Sequence, residues 1–201
     1  MNAAVEWPAE VRRVADPDEM HELGMRLGRA LRAGDLVLLT GPLGAGKTTL
    51  TRGIGEGLGV RGPVQSPTFV IARTHPSLVG GAPLVHVDAY RLSDGGELDD
   101  LDLDFAGSVV VAEWGAEMVD RPDSWLEVVI ERRVGGAAAP GDGSEDAVHV
   151  DDVARGEAEV EDAGRGGGLG DADEDWSEAP IEARTVTIRA FGPRWDGGVP
   201  A

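Results

Sequence analysis

Apolar residues recur at helical spacing in the first predicted element of the chain, a helix between residues 16 and 34. The apolar positions of this stretch lie three or four residues apart: Met20, Leu23, Leu27, Ala30 and Leu31. Asp16 can cap the helix, Pro17 suits its first turn, and Glu19 completes a capping-box spacing. Gly34 follows as a stop signal, so the helix is expected to end before it.

Short continuous apolar runs predict buried strands further along the chain. These runs are "DLVLLT" at residues 35–40, "LVHVD" ending at Asp88 and "VVVAE" ending at Glu113. A second helix, rich in glycine, is predicted over residues 47–60, and residues 64–75 look extended. Residues 95–108 predict a short acidic helix and turn.

Two later segments alternate apolar and polar residues, which is typical of half-buried strands. They are "SWLEVVIERR" at residues 124–133 and "ARTVTIRAF" at residues 183–191. The two segments would pair naturally as an antiparallel hairpin at the end of the chain. Together with the preceding strands and helices, they predict an α/β fold.

The stretch between those two strands differs in composition from the rest of the 201 residues. Residues 135–183 hold 15 acidic residues and two arginines, many glycines and few large apolar residues. Such a segment cannot bury enough apolar surface to offset the entropy lost on ordering. We therefore predict one folded domain from residues 1–134 and 184–192, a disordered acidic insertion at residues 135–183, and a flexible tail at residues 193–201. The insertion is expected to be solvated and functionally silent, with a docking or solubility role as the alternative.

Charge and composition exclude several classes of protein. The net charge is −19, of which the insertion carries −13, and tight nucleic-acid binding needs neutralising Lys and Arg side chains. No apolar stretch approaches the roughly 18 residues of a membrane span, and the first residues do not resemble a signal peptide. The chain has no cysteine, so disulfides and thiolate metal sites are excluded. We expect a cytoplasmic protein that does not grip nucleic acid directly.

The stretch "GPLGAGKTT" at residues 41–49 carries the clearest chemistry. It fits G-x-x-x-x-G-K-[ST] and lies between a predicted strand and a predicted helix, as a phosphate-binding loop requires. Its glycines let backbone N–H groups face a phosphate at the positive end of the helix. Lys47, the only lysine of the chain, would reach the β- and γ-phosphates, and Thr48 would offer its hydroxyl to Mg²⁺. The alternative interpretation is a glycine-rich turn without a ligand.

A Mg-nucleotide site also needs a carboxylate at the end of a buried strand beside the loop. Asp88 and Glu113 both meet this description, since each ends an apolar run. One could hold Mg²⁺ while the other orients or deprotonates the attacking water, and the residues alone leave this division open. ATP is favoured over GTP, because guanine recognition by an N-K-x-D element needs a second lysine. His86 is expected to be a satisfied core histidine, and Trp114 either flanks the nucleotide or packs in the core.

Four motifs occur in an order that resembles the TsaE (YjeE) family. They are "GPLGAGKTT", "SPTF" at residues 66–69, "HVDAYRL" at residues 86–92 and "EW" at residues 113–114. The resemblance covers roughly residues 16–134 and the final predicted strand. It implies a three-layer P-loop NTPase fold of the α/β class, with a mostly parallel sheet and an antiparallel C-terminal hairpin.

The resemblance also assigns roles to individual residues. Those expected to contact the nucleotide are Gly41, Leu43, Gly44, Ala45, Gly46, Lys47, Thr48, Thr49, Thr68 and Trp114. Thr48 and Glu113 would be the Mg²⁺ ligands, while Asp88 and Lys47 would be the catalytic residues. Thr68 would lie in a switch-like loop near the γ-phosphate.

The function implied by the resemblance is slow ATP hydrolysis in the threonylcarbamoyl modification of tRNA adenosine 37. The cofactors would be ATP and Mg²⁺, and the partners the TsaD–TsaB pair, with tRNA reached only through the complex. Hydrolysis would reset the complex between turnovers. The alternatives are a small-molecule kinase on the same fold and a nucleotide-gated binding module without significant hydrolysis.

Overall fold

A computed structural model of the chain describes residues 5–67, 70–91, 103–114, 119, 121–132 and 182–199. Within these ranges the chain forms seven strands and two α-helices. In chain order they are β1 (Glu10–Val14), α1 (Pro17–Ala30), β2 (Leu36–Thr40), α2 (Lys47–Leu58), β3 (Ala72–His75), β4 (Leu84–Asp88), β5 (Val109–Glu113), β6 (Trp125–Arg132) and β7 (Arg184–Phe191). The predicted acidic helix falls largely in residues 92–102, outside the described residues, as does most of the predicted insertion.

The strands form one mixed sheet with the order β1-β7-β6-β2-β5-β4-β3. The four central strands, β6, β2, β5 and β4, are parallel to one another. Pairing is antiparallel at both sides, where β7 and β1 extend the sheet beyond β6 and where β3 pairs with β4. The predicted hairpin of β6 and β7 is confirmed. The expectation of a mostly parallel sheet was too strong, because half of the pairings among the described strands are antiparallel.

One face of the sheet is covered by both helices. Leu23 and Leu27 of α1 and Leu50 and Ile54 of α2 are fully buried in the larger of two apolar clusters. The smaller cluster lies on the other face, where Phe105 and neighbouring loop residues cover the strands. No α-helix lies on that second face among the described residues, so the three-layer arrangement remains a prediction.

The two helices approach each other through glycines. A Cβ atom at Gly24 would lie 2.3 Å from the Leu50 carbonyl oxygen, and one at Gly53 would lie 2.2 Å from the His21 carbonyl oxygen. Gly28 and Gly57 repeat this close contact one turn further along. The glycines that weaken the predicted helix α2 therefore allow its backbone to pack directly on α1. This packing fixes the start of α2, where the phosphate-loop motif ends.

Two features at the ends of the chain were not predicted. Strand β1 pairs with β7, and nearby the indole N–H of Trp7 donates to the Gly192 carbonyl at 2.9 Å. Residues 193–199, predicted to be flexible, instead contain a 3₁₀ turn at Pro193–Trp195 with the Trp195 side chain buried. The Arg194 guanidinium donates to the Ala30 carbonyl at 2.8 Å, so the tail is held against the end of α1. None of the helices in the described residues is long and apolar enough to cross a membrane.

Candidate functional site

A cavity of about 640 Å³ opens beside the carboxyl ends of β2, β4 and β5. Residues 43–49 form one wall, and the side opposite them is formed by residues from other segments: Ser66, Asp88, Tyr90, Glu113 and Trp114. In open sheets of parallel strands, ligands bind in the crevice at this end of the strands. The fold therefore brings the phosphate-loop motif and both candidate carboxylates into one cavity.

The loop after β2 has the backbone geometry that its glycines predict. Gly44 and Gly46 have positive φ angles of 73° and 108°, a conformation that L side chains rarely adopt. Helix α2 begins at Lys47 directly after Gly46, which offers no side chain to cap the helix. The first N–H groups of a helix have no partner within it, and they carry the positive end of its dipole. The start of α2 thus presents uncapped donors to the cavity, as an anion-binding loop requires.

Lys47 is a buried cation at the base of this loop, with its side chain 8 % exposed. Its ammonium group donates to the carbonyl oxygens of Gly41 at 2.9 Å and Pro42 at 3.3 Å. The same nitrogen lies 3.8 Å from Glu113 Oε2 and 4.6 Å from the centre of the Trp114 ring. These contacts hold a positive charge at the point where a loop-bound phosphate would place its negative charge.

Asp88 and Glu113 occupy paired positions on the adjacent parallel strands β4 and β5. Paired residues of neighbouring strands point to the same face of a sheet, which here is the face covered by α2. Both residues are nearly buried, at 8 % and 5 % exposure. Asp88 Oδ1 accepts a hydrogen bond from the Tyr90 backbone N–H at 3.2 Å, which fixes its orientation at the strand end.

Glu113 has a second partner on β4. The His86 Nε2 lies 2.9 Å from Glu113 Oε1, and the His86 side chain is completely buried. His86 precedes Asp88 by two residues, so both point to the same face of β4. The carboxylate of Glu113 therefore lies between an imidazole on one oxygen and the Lys47 ammonium nearer the other.

Two aromatic rings line the open side of the cavity. The rings of Tyr90 and Trp114 meet edge to face with their centres 5.9 Å apart. Trp114 has a positive φ of 60°, rare for a bulky residue, and its backbone N–H donates to the Leu39 carbonyl at 3.3 Å. Strain of this kind persists where the surrounding structure enforces it. Here it turns the Trp114 ring toward the Lys47 ammonium.

The structure brings most of the predicted site residues together. The seven loop positions on the cavity wall are Leu43, Gly44, Ala45, Gly46, Lys47, Thr48 and Thr49. Gly41 does not line the cavity but lies at the base of the loop, where its carbonyl contacts Lys47 and a Cβ would come within 2.8 Å of the Ile130 carbonyl oxygen. Thr68 lies outside the described residues.

Sequence reasoning did not select three residues of this site. Ser66 belongs to the quoted "SPTF" motif and lines the cavity, and Tyr90 belongs to "HVDAYRL". His86 was expected to be a satisfied core histidine, and it is fully buried with a hydrogen-bond partner; what was not expected is that this partner is a cavity carboxylate, that of Glu113. The motifs that contain Ser66 and Tyr90 were the available signal, while the contact of His86 arises only from the pairing of β4 with β5.

The residues present fit a nucleotide with Mg²⁺. Positive-φ glycines at the loop, uncapped N–H groups and a buried ammonium match the needs of a polyphosphate. Mg²⁺ is usually held by one or two carboxylates together with substrate phosphates, not by a complete cage of protein ligands. Thr48, Asp88 and Glu113 supply oxygen donors of the required kind on the cavity wall. No cluster of three or more acidic or histidine side chains that could bind a metal alone occurs among the residues with described positions.

Comparison with known proteins points to one family. The family model for threonylcarbamoyl adenosine biosynthesis protein TsaE matches residues 14–135. A tRNA threonylcarbamoyladenosine biosynthesis protein TsaE from Streptomyces coelicolor is 64 % identical over 123 residues, which cover 59 % of this chain and 83 % of the relative. The protein of the same name from Bacillus subtilis is 40 % identical over 125 residues, covering 60 % and 76 %. The crystal structure of Bacillus subtilis YdiB aligns with a TM-score of 0.56 and 25 % identity, covering 98 % of this chain and 93 % of that one.

Proposed function

The chain belongs to the TsaE family of tRNA threonylcarbamoyladenosine biosynthesis proteins, and we propose that within this pathway it binds ATP with Mg²⁺ and hydrolyses it slowly. A P-loop NTPase fold is part of the same proposal. The observation that carries it is the single cavity formed by the loop at residues 43–49, the buried Lys47 ammonium, and the carboxylates of Asp88 and Glu113.

Phosphate binding would rest on the loop and the start of α2. The uncapped N–H groups at the start of α2, directly after Gly46, would donate to phosphate oxygens, and the Lys47 ammonium would exchange its carbonyl contacts for a phosphate. The exchange is feasible because a lysine side chain is flexible and both carbonyls belong to the loop itself. Binding energy would thus come mainly from charge-assisted hydrogen bonds at the polyphosphate.

The carboxylates divide the remaining chemistry. Thr48 and Glu113 would hold Mg²⁺, which when bound neutralises the charge that develops on the transferred phosphoryl group. Asp88, fixed by the Tyr90 N–H, would orient the attacking water and accept its proton. The site has two carboxylates beside one ammonium, so negative charge is in excess even before a polyphosphate binds. A divalent cation would offset this excess.

The nucleotide is proposed to be ATP. The chain contains one lysine, which lies in the proposed phosphate loop. No second lysine is left for an N-K-x-D element that would recognise guanine. Tyr90 and Trp114 offer flat apolar surfaces beside the loop, and such surfaces stack on a nucleobase without hydrogen-bond selectivity. Nothing on the described cavity wall would therefore favour GTP over ATP.

We also propose that the protein acts in the cytoplasm together with the TsaD–TsaB pair. The rim of the cavity exposes large apolar side chains, with Leu43 93 % and Tyr90 74 % exposed. Exposed apolar residues clustered at a functional site favour a protein partner there. The net charge of −19 disfavours direct contact with tRNA, so tRNA would be reached only through the complex.

The experiment that tests the proposal is hydrolysis of Mg-ATP by the purified chain, with and without TsaD–TsaB and with Lys47→Ala as a blank. Slow turnover that changes on addition of the partners is the expected result. A rate of hydrolysis that stays the same when the partners are added would contradict the proposed coupling. Phosphate transfer to a small-molecule acceptor would indicate a kinase, and tight ATP binding with no turnover in any mixture would indicate a binding module.

A further inference from the structure

His86 is a fully buried polar residue on a strand that is apolar at every other position except its last, Asp88. Leu84, Val85 and Val87 are its neighbours on β4, and all are fully or almost fully buried. An apolar residue would fill the same place without the cost of burying an imidazole. The feature that His86 adds is its contact with Glu113, where Nε2 lies 2.9 Å from Oε1.

The surroundings of the His86 ring determine which nitrogen carries the proton. Its Nδ1 is buried and has no hydrogen-bond partner in the described part of the chain. A buried N–H without an acceptor is costly, and the Glu113 carboxylate can only accept. The favoured tautomer therefore has its proton on Nε2, which donates to Glu113 Oε1.

This hydrogen bond determines how Glu113 presents its other oxygen. Oε1 is occupied by His86, while Oε2 lies 3.8 Å from the Lys47 ammonium, too far for a direct hydrogen bond. Without the imidazole donor, the carboxylate would be free to turn and close directly on Lys47. The Glu113 carboxylate and the Lys47 ammonium would then pair with each other, and neither would be available to a ligand in the cavity.

We infer that His86 is a positioning residue that holds Glu113 in the orientation needed for Mg²⁺ and keeps it from pairing directly with Lys47. The inference rests on the proposed function, in which Glu113 is a Mg²⁺ ligand. Hydrogen-bond partners behind metal ligands commonly change metal affinity when they are removed, by about 10–100-fold. His86 would act on the metal through Glu113 and would not touch it.

The test compares two amides that differ in reach. Gln at position 86 can place its N–H₂ near the position of Nε2, whereas Asn is too short to reach Glu113. The measured quantity is the Mg²⁺ enhancement, defined as the Kd for ATP in EDTA divided by the Kd in saturating Mg²⁺, from calorimetric titration. We expect the Mg²⁺ enhancement of His86→Gln to stay close to that of the wild type. The enhancement of His86→Asn should be smaller by about tenfold or more. Binding in EDTA should change little in His86→Gln.

Controls separate this inference from the proposed function. Glu113→Gln removes the charged ligand itself and should abolish most of the Mg²⁺ enhancement. If Glu113→Gln retained the full enhancement, or if the wild type bound no ATP, the proposed Mg²⁺ site would fail and this inference with it. If Glu113→Gln lost the enhancement while folded His86→Asn kept it, the role of His86 alone would be refuted.

One further outcome would also refute the role of His86. An equal loss in His86→Gln and His86→Asn, in EDTA as well as in Mg²⁺, would show a general structural role and overturn the inference. Thermal unfolding of each variant checks that it is folded. If His86→Asn does not fold, His86→Leu replaces it, because leucine removes the donor without burying an unpaired amide. The Mg²⁺ enhancement of His86→Leu should also fall by about tenfold or more, as expected when the hydrogen-bond partner of a metal ligand is removed.

Discussion

The Lys47 ammonium and the Glu113 carboxylate lie 3.8 Å apart with both side chains almost completely buried. A buried ion pair repays its desolvation only when other hydrogen bonds satisfy each partner. The Lys47 ammonium donates hydrogen bonds to the Gly41 and Pro42 carbonyls, and the Glu113 carboxylate has a hydrogen bond with His86. Lys47 and Glu113 are therefore stabilised without a direct hydrogen bond between them. In the proposed function, the ammonium would bind a phosphate and the carboxylate would bind Mg²⁺.

Replacing Lys47 with alanine should weaken ATP binding. The variant loses a charge-assisted donor to the phosphates and leaves Glu113 without its buried cation, so we expect the Kd for Mg-ATP to rise by about tenfold or more. Calorimetric titration measures this change. Arg29→Ala, which removes an equal charge from the exposed last turn of α1, serves as the control and should bind ATP like the wild type. Wild-type affinity in Lys47→Ala would refute the phosphate-loop interpretation.

Replacing Asp88 with asparagine should separate binding from hydrolysis. Asn retains an oxygen to accept from the Tyr90 N–H, so the end of β4 should keep its conformation. It cannot accept the proton of the attacking water, and we expect kcat for ATP hydrolysis to fall by about 10²–10⁴-fold with little change in Kd. Formation of threonylcarbamoyladenosine on tRNA in the reconstituted system should fail in parallel. Full modification activity with Asp88→Asn would instead support a binding module that does not need hydrolysis.

The backbone geometry of the loop at residues 43–49 could be predicted from sequence because it demands particular residues. Positive φ at Gly44 and Gly46 needs glycine, and the buried cation needs a compact ammonium. The two acids were found for a similar reason, since each ends an apolar strand at the edge where ligands bind. Local chemistry was sufficient in all of these cases.

The contacts that depend on tertiary pairing could not be predicted in the same way. His86 reaches Glu113 only because β4 and β5 pair in parallel with Asp88 opposite Glu113. Strand β1 has three charged residues among its five and no continuous apolar run, and it is stabilised by pairing with β7, which comes much later in the chain. The burial of Trp195 likewise depends on the core that the helices and sheet have already formed.

The contact between α1 and α2 gives a prediction about stability. A Cβ at Gly24 would lie 2.3 Å from the Leu50 carbonyl oxygen and 2.9 Å from the Gly53 Cα, where only backbone movement could make room. We expect Gly24→Ala to lower the free energy of unfolding by about 2 kcal/mol or more, despite the better helix propensity of alanine. Urea denaturation measures the difference.

The matched control for this change is Gly81→Ala. Its Cβ would have no neighbour closer than 3.7 Å, and its φ is not positive, so stability should change by less than about 0.5 kcal/mol. An equal effect of the two substitutions would show that the close helix contact is not what Gly24 supplies.

His75 predicts a pH dependence of stability. Burial is the largest cause that lowers the pKa of His75 from its ordinary value of 6.5, and the Arg73 charge adds to it, although a backbone hydrogen bond at Arg61 opposes the shift. The unfolded chain therefore binds a proton at this site before the folded chain does, so the free energy of unfolding falls as the pH drops below about 6.5. His75→Gln should show a smaller loss of stability between neutral and mildly acidic pH in urea titrations. Above neutral pH His75 is uncharged in both states, so the free energy of unfolding measured there is the reference for each protein. If variant and wild type lost the same stability on acidification, a role for His75 would be excluded.

The ends of β6 and β7 predict the effect of removing the acidic segment between them. Arg132 pairs with Arg184 in the antiparallel register, and the exposed Glu182 carboxylate accepts from the Arg132 Nε at 2.7 Å. Because the strand ends are adjacent, a turn of about four residues can replace residues 135–180. Loop-closure entropy changes slowly with length, so the free energy of unfolding should change by no more than about 1–2 kcal/mol. We also expect unchanged ATP affinity and unchanged response to TsaD–TsaB. Loss of that response in a folded, ATP-binding deletion variant would assign the segment a docking role instead.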